Sequence, residues 1–245
     1  MTAVSIGGLL FPSAIYPTDE LTTTFVPNDV VNLVIGLPIL LGSMRLTRRG
    51  KLLGLLLWPG ALIYFVYNYI AYVVGIPVSF ITLAYLLIVL LSAYLTFSLL
   101  KNIDKESVGI QLVGVVSEKI AGWVLAVFGI LFTIRAIGMI AQAFIGQMPL
   151  PLSELGVLIA DIVLSALWVV CGILLLQRKP LGYVSGLGLL FAASMLFIGL
   201  IIFLLLQPML TNTPFVLADL IAVLGMGLIC FIPFGLFLRG VVSRG

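Results

Sequence analysis

"KLLGLLLWPGALIYFVYNYIAYVVGIPVSFITLAYLLIVLLSAYLTFSLLK", residues 51–101, decides the fold class. Between its two end lysines stand 49 residues without one Asp, Glu, Lys, Arg or His. As α-helix such a run would extend ~73 Å at a rise of ~1.5 Å per residue, enough for two crossings of a hydrocarbon core ~30 Å thick. Gly75-Ile76-Pro77 supplies the break between them, because glycine and proline punctuate helices. The rest of the chain reads the same way: 62% of the 245 residues are hydrophobic and 9% charged, with a mean hydropathy of +1.33. A soluble domain carries about 25% charged residues. The expected fold is therefore an all-α integral membrane protein, a helix bundle whose partner is the lipid bilayer of the cell membrane.

Seven runs are long enough to span, at about residues 28–44, 52–75, 78–100, 120–146, 154–177, 181–206 and 214–238. Backbone in lipid must satisfy its own hydrogen bonds, so each is read as a helix. Pro27 and Pro214 stand near expected helix starts, where a missing N–H costs nothing. Ser153 is the expected N-cap ahead of Glu154.

Charge gives the threading. Eleven of the twelve basic residues fall on alternate connections: Arg45, Arg48, Arg49 and Lys51, then Lys101, Lys105 and Lys119, then Arg178 and Lys179, then Arg239 and Arg244. The positive-inside rule makes these connections cytoplasmic, with the N-terminus outside and the C-terminus inside. Residues 1–27 then form an extracytoplasmic segment ahead of a seven-span domain over 28–245. They lack a basic n-region, so no cleaved signal peptide is read there. In the longest cytoplasmic connection, residues 101–119, Val108, Leu112, Val115 and Val116 recur at helical spacing. That pattern predicts an amphipathic helix on the inner leaflet, with a partner-binding helix as the alternative.

Composition also excludes. The basic clusters carry no interleaved aromatic residues, so no nucleic-acid partner is expected. The absence of histidine removes histidine-ligated zinc or haem, and neither a metal site nor a cofactor is expected. Cys171 and Cys230 lie inside apolar runs and read as small core residues, not a disulfide.

An offset of 132 residues superposes Asp29 on Asp161, Gly50 on Gly182, Gly54 on Gly186, Ala61 on Ala193 and Phe65 on Phe197; an offset of 134 places "LAYL" (83–86) on "LADL" (217–220). This suggests parallel repeats over 28–100 and 154–240, linked by the helix at 120–146. Transporters are often built from such repeats. The three-one-three arrangement is similar to that of the sugar facilitators in fold alone, since neither triplet carries their proline-glutamine pair: Pro38 has Val170 as its counterpart.

Four ionisable residues remain within the spans: Asp29, Arg135, Asp161 and Asp219. Asp29 reads as a first-turn residue complementing the helix dipole, worth ~0.3–1 kcal/mol. Asp219 and Asp161 read as ~7–10 Å below the outer helix ends, and Arg135 as near the midplane. An unpaired charge at the centre of a spanning helix costs ~2.5–3.5 kcal/mol. Arg135 is therefore expected to pair with an aspartate, Asp161 first. Asp29 and Asn32 share a face of the first helix; Tyr64, Asn68 and Tyr72 share one on the second, with Tyr67 beside it; Arg135 and Gln142 share one on the fourth.

These eight residues, Asp29, Asn32, Tyr64, Asn68, Arg135, Gln142, Asp161 and Asp219, suggest an outward-facing polar pocket in a transporter of a small solute, ion or proton. Two other readings stand beside it. One is a membrane scaffold or complex subunit with structural ion pairs. The other is an embedded enzyme using a carboxylic acid on a lipid or isoprenoid, in the general manner of the seven-span terpene cyclases but without their signature. No catalytic residue, substrate or oligomeric state follows from the sequence.

Overall fold

The computed structural model describes residues 1–147, 149–210 and 214–244. Its helices are α1 (Thr2–Leu10), α2 (Pro12–Ile15), α3 (Asp19–Val31), a π-helical turn (Asn32–Gly36), α4 (Leu37–Arg48), α5 (Leu52–Gly75), α6 (Phe80–Asn102), α7 (Lys105–Leu112), α8 (Glu118–Gly146), α9 (Leu152–Leu176), α10 (Pro180–Leu210) and α11 (Leu217–Val242). No strand occurs among the described residues. Seven helices are long and apolar enough to cross a membrane, the first being the continuous run Asp19–Arg48. The connections expected around 148 and 211–213 lie partly outside the described residues.

The first span starts nine residues before the expected position 28. Thr18 caps it, its hydroxyl accepting from Leu21 N at 3.3 Å, and Asp19 and Glu20 follow in the first turn. Pro27 lies inside α3 and costs it one backbone bond, while the cap and the acidic first turn start the helix ahead of it. Asp29 is thus the eleventh residue of its helix, and the first-turn dipole explanation fails. The π-helical turn has a comparable cause. Pro38 has no N–H and crowds the preceding turn, and the ladder widens there, with Leu37 N donating to Asn32 O. Ser153 is not a cap either: α9 starts at Leu152 after Pro151, and the Ser153 hydroxyl donates to Glu20.

The most enclosed span is α5, which packs against α4, α6, α9 and α10. Glycines let the helices approach: Gly60 of α5 meets the backbone at Gly188 of α10, and Gly172 of α9 meets α8 at Gly122 and Ala126. Small interfacial residues serve this purpose in lipid, where van der Waals packing drives association. A Cβ on Gly172 would stand 2.6 Å from Gly122 O and 2.7 Å from Ala126 N. Gly172→Leu should therefore separate α8 from α9 and cost at least ~3 kcal/mol, the upper range for overpacking. A thermal midpoint in detergent equal to that of the unsubstituted protein would contradict this packing.

Three contacts bring three of the basic segments, 101–119, Arg178–Lys179 and the C-terminal end, together at one end of the bundle. Arg178 Nε lies 3.2 Å from Glu118 Oε1, Gly109 abuts Pro180, and Gly240 abuts Val115. The helix expected in the 101–119 connection is α7, capped by Asp104, which accepts from Ser107 N at 3.2 Å and Ser107 Oγ at 2.5 Å. Those bonds hold the Asp104 carboxyl below its ordinary range. Its apolar face does not lie free for the leaflet. Val108 and Leu112 are buried, and α7 packs on α10.

Candidate functional site

Two groups of buried polar residues lie away from the basic end, both reached from α5. On that helix Tyr64, Asn68 and Tyr72 follow one another at steps of four and so share a face, while Tyr67 looks to another flank.

In the first group, Arg135 Nη1 of α8 lies 3.2 Å from Asp161 Oδ2 of α9, and Tyr67 Oη donates to Asp161 Oδ1 at 3.0 Å. Arginine and tyrosine thus serve both carboxylate oxygens from two neighbouring helices. Thr133 and Ser165 join α8 to α9 through hydroxyls 2.7 Å apart. Exposure within the ion pair is lopsided: the Asp161 side chain is 6% exposed and that of Arg135 is 54%. Arg135 therefore meets either lipid or a neighbour along one side of α8.

The second group surrounds Asp29, which is 1% exposed. Tyr16 Oη donates to Asp29 Oδ2 at 2.5 Å, and Tyr72 Oη donates to Oδ1 at 3.1 Å. The carboxylate accepts from hydroxyls, and no described residue forms a salt bridge with it. Rings close around it, with centroids 5.7 Å apart for Tyr16 and Phe25, 4.5 Å for Phe25 and Tyr72, and 5.1 Å for Tyr72 and Tyr85. From above, α1 completes the cover. Ser5 lies 3.2 Å from Tyr69 Oη, and a Cβ on Gly8 would collide with the Asp29 carboxylate. Burial pushes the Tyr16 hydroxyl far above the ordinary tyrosine range, and the nearby Asp29 adds to the shift. Tyr16 therefore remains a protonated donor at any physiological pH.

One helical turn beyond Asp29, Asn32 begins the π-helical turn. It is fully buried, and neither its amide oxygen nor its nitrogen has a hydrogen-bond partner. An unpartnered buried amide costs roughly 1–3 kcal/mol, and π-helical turns frequently mark functional positions. Four residues further on, Gly36 faces Tyr64 and Phe65. Asn68 donates through Nδ2 to Tyr64 O at 3.1 Å.

The eight expected residues therefore divide. Asp29, Asn32, Tyr64 and Asn68 are buried where α3, the π-helical turn and α5 meet; Asp161 and Arg135 pair nearby on α9 and α8. Asp219 and Gln142 are exposed, Asp219 in the first turn of α11, and neither joins these groups. A cleft of about 380 Å³ lies at the α8–α9 turn, lined by residues including Phe144, Gln147 and Leu155. A second cavity, of about 500 Å³, lies at the basic end. Neither is lined by any of the eight. Among the described residues no cluster of three or more Cys, Asp or Glu could hold a metal ion.

Tyr16, Tyr67 and Tyr72 complete the two groups and were not among the eight. Tyr72 stood on the expected Tyr64–Asn68 face and Tyr67 beside it. Tyr16 carried no such signal, because its position depends on how α1 and α2 fold back. Glu118, in the 101–119 connection and not among the expected site residues, is buried against Arg178 with Oε2 unpartnered. No known protein family, curated protein or solved structure matches this chain.

Proposed function

We propose that the protein transports protons or a small cation, with Asp29 as the responsive carboxylate and α1 and α2 as its outer cover. The Asp29 environment carries this reading: a carboxylate enclosed by tyrosines, without a cationic side chain, one turn from an unpartnered Asn32 amide. A bare charge in such a place is costly, so the group binds a proton or a cation, and an intramembrane ionisable residue marks such a pathway by default. The arrangement corresponds to an occluded state. Asp161, held by Arg135 and Tyr67, supplies a second carboxylate on the same side of the bundle. With the basic end in the cytoplasm, both lie in the outer half.

The test is proton flux into liposomes of the purified protein, read from an entrapped pH-sensitive dye under an imposed gradient, with and without added Na⁺ or K⁺. Transport faster than in empty liposomes and lost in Asp29→Asn is the expected result; flux equal in the protein and Asp29→Asn would overturn the reading.

A second reading, a subunit of a larger membrane assembly, is favoured by one observation. The half-exposed Arg135 side chain would be better satisfied against a neighbouring protein than against lipid. Sizing the complex after mild detergent extraction from cells separates the two readings.

A further inference from the structure

At the basic end, the turn before α8 and the last turn of α11 flank an open cavity of about 500 Å³, lined by Val115, Val116, Ser117, Leu236, Arg239, Gly240 and Ser243. We propose that this cavity binds a phosphate-bearing anion, in the membrane the headgroup of an anionic phospholipid.

Three features carry the proposal. The Arg239 guanidinium is exposed and forms no ion pair among the described residues. The Ser117 hydroxyl is buried without a hydrogen-bond partner, although it stands at the N-cap position of α8, where it caps nothing. The remaining wall is apolar, from Val115, Val116 and Leu236, which suits the glycerol and upper acyl region of a lipid. The volume falls within the ~300–1,000 Å³ usual for small-ligand sites. Arginine and hydroxyl donors match phosphate oxygens.

Surrounding charge agrees. Glu118, next to Ser117 in the sequence, is ion-paired through Oε1 with Arg178 at 3.2 Å. Lys119 and Arg244 lie close in the sequence and are exposed. Basic pockets between spanning helices at the cytoplasmic face are the usual seat of anionic headgroups. Gly240 is needed for the shape: a Cβ there would stand 2.8 Å from Val115 O and close the gap between turn and helix.

The test compares thermal stability of the detergent-solubilised full chain titrated with short-chain phosphatidylglycerol, short-chain phosphatidylcholine or inorganic phosphate. The expected result is saturable stabilisation by phosphatidylglycerol at a concentration at least tenfold lower than by phosphatidylcholine. Arg239→Gln should shift that midpoint at least tenfold higher and Ser117→Ala several-fold. Inorganic phosphate acting at the same concentration as the lipid, and losing its effect in Arg239→Gln, would support the phosphate site with a soluble ligand in place of lipid. Should Arg239→Gln prove poorly folded, Arg239→Lys and Ser117→Ala decide: a midpoint unchanged in both overturns the proposal. So does an equal response to the two lipids in the unsubstituted protein.

Discussion

Arg135→Leu should lower the stability of the bundle by about 2–3 kcal/mol, and adding Asp161→Leu should recover part of the loss. Removing one member of a fully buried ion pair commonly costs ~3–5 kcal/mol, because the other charge is stranded. Two considerations reduce that figure here. Arg135 is half exposed, and interhelical hydrogen bonds in membranes average ~0.6 kcal/mol. Asymmetry is the more specific expectation. Without Arg135, the enclosed Asp161 retains only the Tyr67 hydroxyl at 3.0 Å. Without Asp161, Arg135 can swing its long stem toward polar surroundings. The arginine substitution should therefore be the more damaging single change. Unfolding in mixed micelles at graded denaturing-detergent fraction measures all four proteins of the cycle; additive losses would show that the pair is not coupled.

Asp29→Asn has the largest expected effect on function and a small one on folding. Asparagine is nearly isosteric with aspartate, and its carbonyl can accept from one of the two tyrosines. Its amide can donate to the other, whose hydroxyl also accepts. The aromatic cover should persist, with stability changed by no more than about 1 kcal/mol, the usual net value of one neutral hydrogen bond. What asparagine cannot do is take up or release a proton, or present a full charge to a cation. Flux should fall at least tenfold while the thermal midpoint stays close to that of the parent. Asp29→Ala is the useful contrast, since it strands the Tyr16 hydroxyl and leaves Tyr72 only the Phe25 carbonyl at 3.3 Å, and it should lose stability along with flux. Unchanged flux in a folded Asp29→Asn protein would leave Asp29 with a purely structural role.

The existence and rough extent of the spanning helices were legible because a hydrocarbon solvent imposes one requirement everywhere, an apolar run of about 20 residues. The pairing of Arg135 with Asp161 was legible for a related reason: a charge at depth needs a partner, and few were on offer. Elsewhere the same economy misled. Asp219 looked comparable to Asp161 by its place in a run, but α11 sits at the edge of the bundle and turns its first turn outward, a fact set by packing and not by local pattern. Asp29 looked like a dipole-complementing residue because Pro27 resembled a helix start. The capping Thr18 and the acidic first turn, written nine residues earlier, were the better signal. Tyr16 was illegible, since its bond to Asp29 spans thirteen residues of folded-back chain.

The account rests on the basic end facing the cytoplasm and α1–α2 covering the outer side. Single cysteines placed at Thr47, Ser107, Thr18 and Leu150, in a chain with Cys171 and Cys230 replaced by alanine, test this with a membrane-impermeant thiol reagent on intact cells. The account predicts labelling at positions 18 and 150, with 47 and 107 reached only after permeabilisation; the reverse pattern would contradict it.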